Sequence, residues 1–390
     1  MTTAPAPLRI TPSLKHYAWG ARSFIPEILG GEAGEEPVAE AWFGAHAAGP
    51  SLLDDGSGLD ALLAASGDRW LGGHGELPFL VKFLAADRPL SIQVHPDARQ
   101  AAAGFAREEA AGIARDAPER CYRDPHPKPE LLMAMEPFEA LCGFRGAEEI
   151  AAILARHASL APLAEVFSPA GEGYRALVRR WFEFDEEQVR ACQTALLASL
   201  ERQPLLTASE QVCLDVVARW PSDLRSDRGL LFTMLLEHLH LEPGEAIFLR
   251  AGVPHAYLRG AGLEVMAASD NVLRAGLTEK HVAPQELLRI VRFAAGGWQR
   301  VTSREDAPGL RCWPTAATAF ELRRIDVERV TGERRCDGPE IHLLLDGGPV
   351  TVESEGGTVM LDRGQACLTP AGATLRLAGR GDLACVSLPR

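Results

Sequence analysis

Lysine is almost absent from this chain. Of its 40 basic residues only Lys15, Lys82, Lys128 and Lys280 are lysines, and arginine fills every other cationic position. An ammonium is a compact charge whose pKa can be lowered, whereas a guanidinium is a rigid fork that stays charged. A chain that uses arginine for its general surface leaves its few lysines as candidates for sites that need an ammonium. Paired cysteine motifs are missing too. The eight cysteines are scattered, with no C-x-x-C, which excludes a dense disulfide framework and fits a reducing compartment. No apolar run approaches the length of a membrane span. Met1 to Ile10 carries prolines and one Arg and lacks the apolar core of a signal peptide. A formal net charge of −13 disfavours nucleic acid and anionic membrane surfaces as partners. The expectation is a cytoplasmic protein, a monomer, whose anionic substrate would have to meet a local cluster of cations.

What is present is an ordinary globular composition, 46% apolar and 24% charged over 390 residues, enough for two or three domains. Residues 8–145 carry short apolar runs broken by Gly and Pro, a β-rich pattern, with a helix predicted over Arg99–Arg115. Residues 146–235 change character: Ala, Leu, Glu and Arg dominate. Val189, Cys192, Leu196, Leu197 and Leu200 form a helical stripe, and similar stripes occupy Glu148–Leu154, Ala176–Phe182, Ser209–Trp220 and Leu230–Leu239. Four to five helices are expected. Strand signals return after Leu241 and run to the end, apart from a helix at Pro284–Phe293.

An internal repeat ties the two β regions together. Leu241–His255 aligns without gaps with Leu361–Leu375, matching Gly244 with Gly364, Ala251 with Ala371 and Gly252 with Gly372. Each copy reads as turn, strand, Gly turn, strand, a jelly-roll signature of the cupin kind. The second copy has Leu375 where the first has His255. The predicted fold is therefore mainly β with a helical insertion: two cupin-type jelly-roll barrels plus an α-helical domain. Residues 1–145 with 236–300 form the metal-binding catalytic barrel, 146–235 the helical insertion, and 301–390 a C-terminal jelly roll without metal.

The chemistry centres on Ser91-Ile92-Gln93-Val94-His95-Pro96-Asp97, which follows the apolar run Leu77–Leu84. Alternation along a strand puts Ser91, Gln93 and His95 on one face and Ile92 and Val94 on the other. Three polar groups on one face of a core strand are costly to bury without a partner. Lys128-Pro129-Glu130 and Pro254-His255-Ala256-Tyr257 add further ligand types. Two imidazoles, a carboxylate and an amide oxygen form a mixed N/O set suited to Zn²⁺, with Mn²⁺ and Fe²⁺ as alternatives. Arg274 and Lys280 lie in the Gly-containing stretch after the His255 strand. There a phosphate would gain charge-assisted hydrogen bonds of roughly 1.5–3 kcal/mol each.

These segments, with Tyr17-Ala18-Trp19-Gly20, Glu40-Ala41-Trp42-Phe43-Gly44, Leu77–Lys82 and Ala268–Thr278, resemble type I mannose-6-phosphate isomerases (phosphomannose isomerases), in order over most of residues 10–300. The resemblance implies an aldose–ketose isomerase with one Zn²⁺ per chain and a phosphorylated hexose as substrate. It implies Gln93, His95, Glu130 and His255 as zinc ligands and Arg274 as a catalytic residue. It places Ser91, Lys82, Lys128, Tyr257, Glu264 and Lys280 at active-site positions, and Trp19 is a further candidate for substrate binding. Isomerisation through an enediol needs a cation at the developing oxyanion and a base of near-neutral pKa. Lys128 and Glu264 are both candidates for the base. The chain departs from the family pattern at Pro127, Glu279, Ala283 and Ala41. Pro127 fixes backbone geometry next to Lys128, and Glu279 puts an anion beside Lys280. Two rival classes are an Fe²⁺-dependent cupin oxygenase, which needs no phosphate cations, and a non-catalytic sugar-phosphate-binding module, which needs no intact ligand set.

Overall fold

The computed structural model describes residues 5–389. An eleven-stranded and a nine-stranded sheet, both built from antiparallel pairs, pack face to face. The first sheet is centred on the long strand His255–Ala267, which pairs with Phe79–Ala86 on one side and Glu130–Ala134 on the other. The second is centred on Glu340–Ser354 and Thr374–Ser387. Alternation assigns each strand two roles. Leu131, Met133, Leu263 and Val265 point into the apolar layer between the sheets, where they meet Ile341, Leu343, Leu368 and Val386. Leu132 and Ala134 share the other face with Glu130 and line the interior of the first barrel.

The helical unit fills 146–235. Its α-helices are Ala147–Arg156, Ala161–Ala164, Gly173–Glu183, Glu186–Glu201, Ala208–Arg219 and Gly229–Leu235. Asp185 and Thr207 open two of them with complete capping boxes, each cap worth about 1 kcal/mol. The unit interrupts the hairpin between the strands Phe138–Phe144 and Leu236–Leu241; in the second sheet the equivalent strands join through Glu355-Gly356 alone. Ile92, Val94, Leu273 and Ala275 belong to the same apolar cluster as Trp181, Leu196 and Val216. The helices thus press on the outer face of the strands whose inner face carries Gln93.

The expected helix Arg99–Arg115 runs Ala98–Ala110, and Asp97 caps it through a hydrogen bond from the Gln100 N–H at 2.7 Å. The expected helix Pro284–Phe293 ends at Ile290. The expected helix Leu230–Leu239 stops at Leu235, and Leu236–Leu241 is a strand. No Gly or Pro marks that change; His238 and His240 alternating with Leu239 and Leu241 are its only trace. The strand Leu8–Ile10 pairs with Ala366–Leu368 of the second sheet and covers that sheet's edge. Its pairing therefore crosses from the first barrel's segment to the second. Among the described residues no helix is long and apolar enough to cross a membrane.

Candidate active site

Three strands bring the ligand-type residues to one buried point. Gln93 lies opposite His255 on one side and Arg274 on the other. Glu130 begins the strand that pairs with Met266. His95 Nε2 and His255 Nε2 stand 3.3 and 3.4 Å from the same Glu130 oxygen, Oε2. All three side chains are buried. The other nitrogen of each ring is engaged: His95 Nδ1 is 2.9 Å from the Asn271 carbonyl and His255 Nδ1 3.0 Å from the Val253 carbonyl. A carbonyl only accepts, so each Nδ1 carries the proton and each Nε2 presents a lone pair. His95 Nε2 has no hydrogen-bond partner. Burial, then the Lys128 ammonium, lower the His95 pKa to about 4, which keeps the ring neutral. Burial opposes the Glu130 carboxylate, but the Lys128 ammonium holds its pKa well below the usual range. Lys128 Nζ sits 2.9 Å from Glu130 Oε1.

A second polar group lies on the same barrel face. Lys82 and Glu264 are cross-strand neighbours, and Lys82 Nζ is 2.6 Å from Glu264 Oε2 and 3.3 Å from Glu40 Oε1. The Tyr257 hydroxyl donates to Glu264 Oε1 at 2.6 Å, and Trp42 Nε1 donates to Glu40 Oε2 at 2.7 Å. Burial works against the Lys82 ammonium, yet Glu264 and Glu40 together hold its pKa above the ordinary lysine value. Burial raises the Glu264 pKa, against the pull of Lys82. Burial and then Glu264 raise that of Tyr257.

The third group is cationic. Burial lowers the pKa of Arg274, and Arg123 lowers it further. Lys280 is depressed by burial, then by Arg274 and Arg123. The three cations thus disfavour one another's charge, with Arg274 partly buried and Arg123 and Lys280 exposed, an arrangement that favours an anion among them. Arg123 was not among the residues picked from the sequence; it sits in a loop without periodicity. Asn271 went unassigned as well, though it is fully buried. Its amide donates to the Asp124 carbonyl at 2.7 Å and the His126 carbonyl at 2.9 Å, and its Oδ1 accepts from the Arg123 N–H at 2.8 Å. One side chain thus fixes the Arg123 loop while its own carbonyl orients His95. Asn271 follows Ser269 and Asp270 in a polar run, so nothing local in the sequence signals its burial.

Ser91 is half-buried just before the strand Ile92–Val94. Trp19 is half-buried against the apolar interior of the first barrel and stacks on Tyr17 at 5.6 Å. Burial and then Glu40 raise the Tyr17 pKa, against the pull of Lys82. Glu279 is exposed.

Residues 8–147 match the model of the type I phosphomannose isomerase catalytic domain. Mannose-6-phosphate isomerase of Salmonella typhimurium is 39% identical over 295 residues, covering 72% of this chain and 73% of the relative. Mannose-6-phosphate isomerase 1 of Arabidopsis thaliana is 30% identical over 420 residues, covering 96% of this chain and 92% of the relative. The crystal structure of the Salmonella typhimurium enzyme bound to fructose 6-phosphate and zinc superposes with a TM-score of 0.87 at 32% identity, over 98% of this chain and 100% of that one. The chain belongs to the type I phosphomannose isomerase family.

Proposed function

We propose that this protein is a zinc-dependent isomerase that interconverts mannose 6-phosphate and fructose 6-phosphate. The observation that carries the reading is the meeting of two imidazole lone pairs and a carboxylate oxygen at one buried point. Such electron-rich atoms repel one another in a low dielectric unless a cation lies among them. A His₂-carboxylate set fits zinc with open positions for substrate, and Gln93, His95, Glu130 and His255 would hold the ion. When bound, zinc supplies a Lewis acid that polarises the sugar carbonyl.

The rest falls to the chain's own groups. Arg123 and Lys280 bind the substrate phosphate by charge-assisted hydrogen bonds. Arg274, the cross-strand neighbour of Gln93, stabilises the negative charge that builds on the sugar oxygen as the enediol forms. Lys128 Nζ, held at the metal ligand Glu130, is the group that moves the proton from C2 of mannose 6-phosphate to C1. Glu264 is the less available base, because both its oxygens are engaged by Tyr257 and Lys82. Lys82 and Tyr257 position Glu264, and Ser91 and Trp19 border the sugar pocket. The oxygenase reading leaves the three cations without a use. The chain acts as a cytoplasmic monomer, with 11–145 and 236–300 as catalytic barrel, 146–235 as helical insertion and 301–389, joined by the strand Leu8–Ile10, as metal-free second barrel.

Exchange of the substrate C2 hydrogen with solvent tests the proton transfer. Lys128→Met loses exchange and Glu264→Gln retains it; full exchange in Lys128→Met removes that residue from the role.

A further inference from the structure

The second barrel repeats the first residue for residue at the positions of the metal centre. Glu130 pairs with Leu249 and Glu340 with Thr369, and Leu249 and Thr369 are matched by the internal repeat. Gln93 pairs with His255, and Arg334 pairs with Leu375, the repeat equivalent of His255. The Gly252 N–H donates to the His95 carbonyl, and the Gly372 N–H to the Cys336 carbonyl, both at 2.8 Å. Arg334, Cys336, Glu340 and Leu375 therefore stand where Gln93, His95, Glu130 and His255 stand. Cys385 follows the same register: it lies beside Arg323 and His342 as Glu264 lies beside Lys82 and Leu132.

The copy is not an apolar filler. Glu340, His342 and Cys385 are buried and bring their ligand atoms within 4.8 Å of one another. Glu340 Oε2 is 3.1 Å from His342 Nε2 and 3.4 Å from Cys385 Sγ. His342 Nδ1 is buried with no partner. Into this cluster comes the Arg334 guanidinium. It forks onto both oxygens of Glu340 and stands 3.3 Å from His342 Nε2 and 3.5 Å from Cys385 Sγ. A guanidinium presents several donors to converging acceptors and stays charged.

We propose that the C-terminal barrel holds a latent site for a thiophilic divalent metal such as zinc, and that the Arg334 guanidinium takes the place of the ion. The cation is thereby fixed to the chain, and the barrel folds around it without metal. Glu340, His342 and Cys385 are the ligands that remain once the guanidinium is removed, a mixed carboxylate, imidazole and thiolate set suited to zinc or cobalt.

Cobalt(II) added to the metal-stripped full chain tests this. The described first site contains no cysteine ligand, so thiolate-to-cobalt absorption reports the second barrel alone and isomerase activity reports the first. Wild type is expected to take up one ion per chain without thiolate absorption. Arg334→Ala is expected to take up two, with the absorption present and activity retained, and Arg334→Ala/Cys385→Ser to lose the absorption. Thiolate absorption in wild type would overturn the proposal, as would an active Arg334→Ala protein that stays at one ion. If Arg334→Ala folds only when expressed with added zinc and carries two ions, the ion has replaced the guanidinium. If it fails to fold with and without zinc while Arg334→Lys folds at one ion, the proposal falls, because the charge is then needed and a metal cannot supply it.

Discussion

Asp227, in the helical unit, accepts a hydrogen bond from the Leu277 N–H at 2.7 Å. Its second oxygen accepts from the Thr278 N–H at 2.9 Å. Leu277 has φ 52°, the left-handed region that side chains avoid. Next to it, a Cβ on Gly276 would lie 2.2 Å from the Gly229 backbone nitrogen. The helical unit therefore shapes the turn that leads from Arg274 to Lys280. Hydrogen bonds to a charged group contribute roughly 1.5–3 kcal/mol each. Asp227→Ala should raise KM for mannose 6-phosphate about tenfold while kcat changes less, which steady-state assays will show. An unchanged KM would detach the helical unit from substrate binding.

Arg123 offers a prediction the sequence did not suggest. Removing it takes one cation from the proposed phosphate site, so Arg123→Ala should raise KM by about 10- to 100-fold. The increase should shrink at high salt, since wild-type binding is itself screened. Equal inhibition of both proteins by inorganic phosphate would contradict the assignment.

Lys82 neutralises two buried carboxylates. Lys82→Met leaves Glu40 and Glu264 without their common partner, a change of the kind that costs about 3–5 kcal/mol. The melting temperature should fall clearly, and the double variant Lys82→Met/Glu264→Gln should recover part of the loss. A double variant no more stable than Lys82→Met would show that the pairing contributes little.

The His95 pKa gives a pH dependence. Its folded value, about 4, lies below the ordinary 6.5. Between those values the unfolded chain binds a proton that the folded chain refuses, so the metal-free protein loses stability as pH falls from 6.5 toward 4. Above 6.5 the term vanishes. Thermal unfolding of chelated protein should show a steeper fall over that window in wild type than in His95→Asn. Parallel curves would contradict a buried neutral imidazole.

Much of the site was legible because strand alternation and the repeat carry it. The period-two pattern at Ser91–His95 set Gln93 and His95 on one face, and the spacing of Gly244 and Gly252 against Gly364 and Gly372 announced two β units of like build, which the two sheets match. Groups joined by long-range contacts were not legible. Asp227 meets the Leu277 turn across 50 positions, and nothing local marks that contact. Leu236–Leu241 continued a helical stripe because its leucines satisfy both periods. The equivalence of Arg334 with Gln93 is written in strand register, which emerges only when the pairs are known.

The most direct measurement is zinc content and mannose 6-phosphate turnover, read together on wild type, chelated wild type, and Glu130→Ala. One zinc per chain and activity are expected in wild type, loss of both on chelation with return on zinc addition, and neither in a folded Glu130→Ala protein. Turnover that persists in the zinc-free chain, or zinc that stays bound without Glu130, would contradict this expectation.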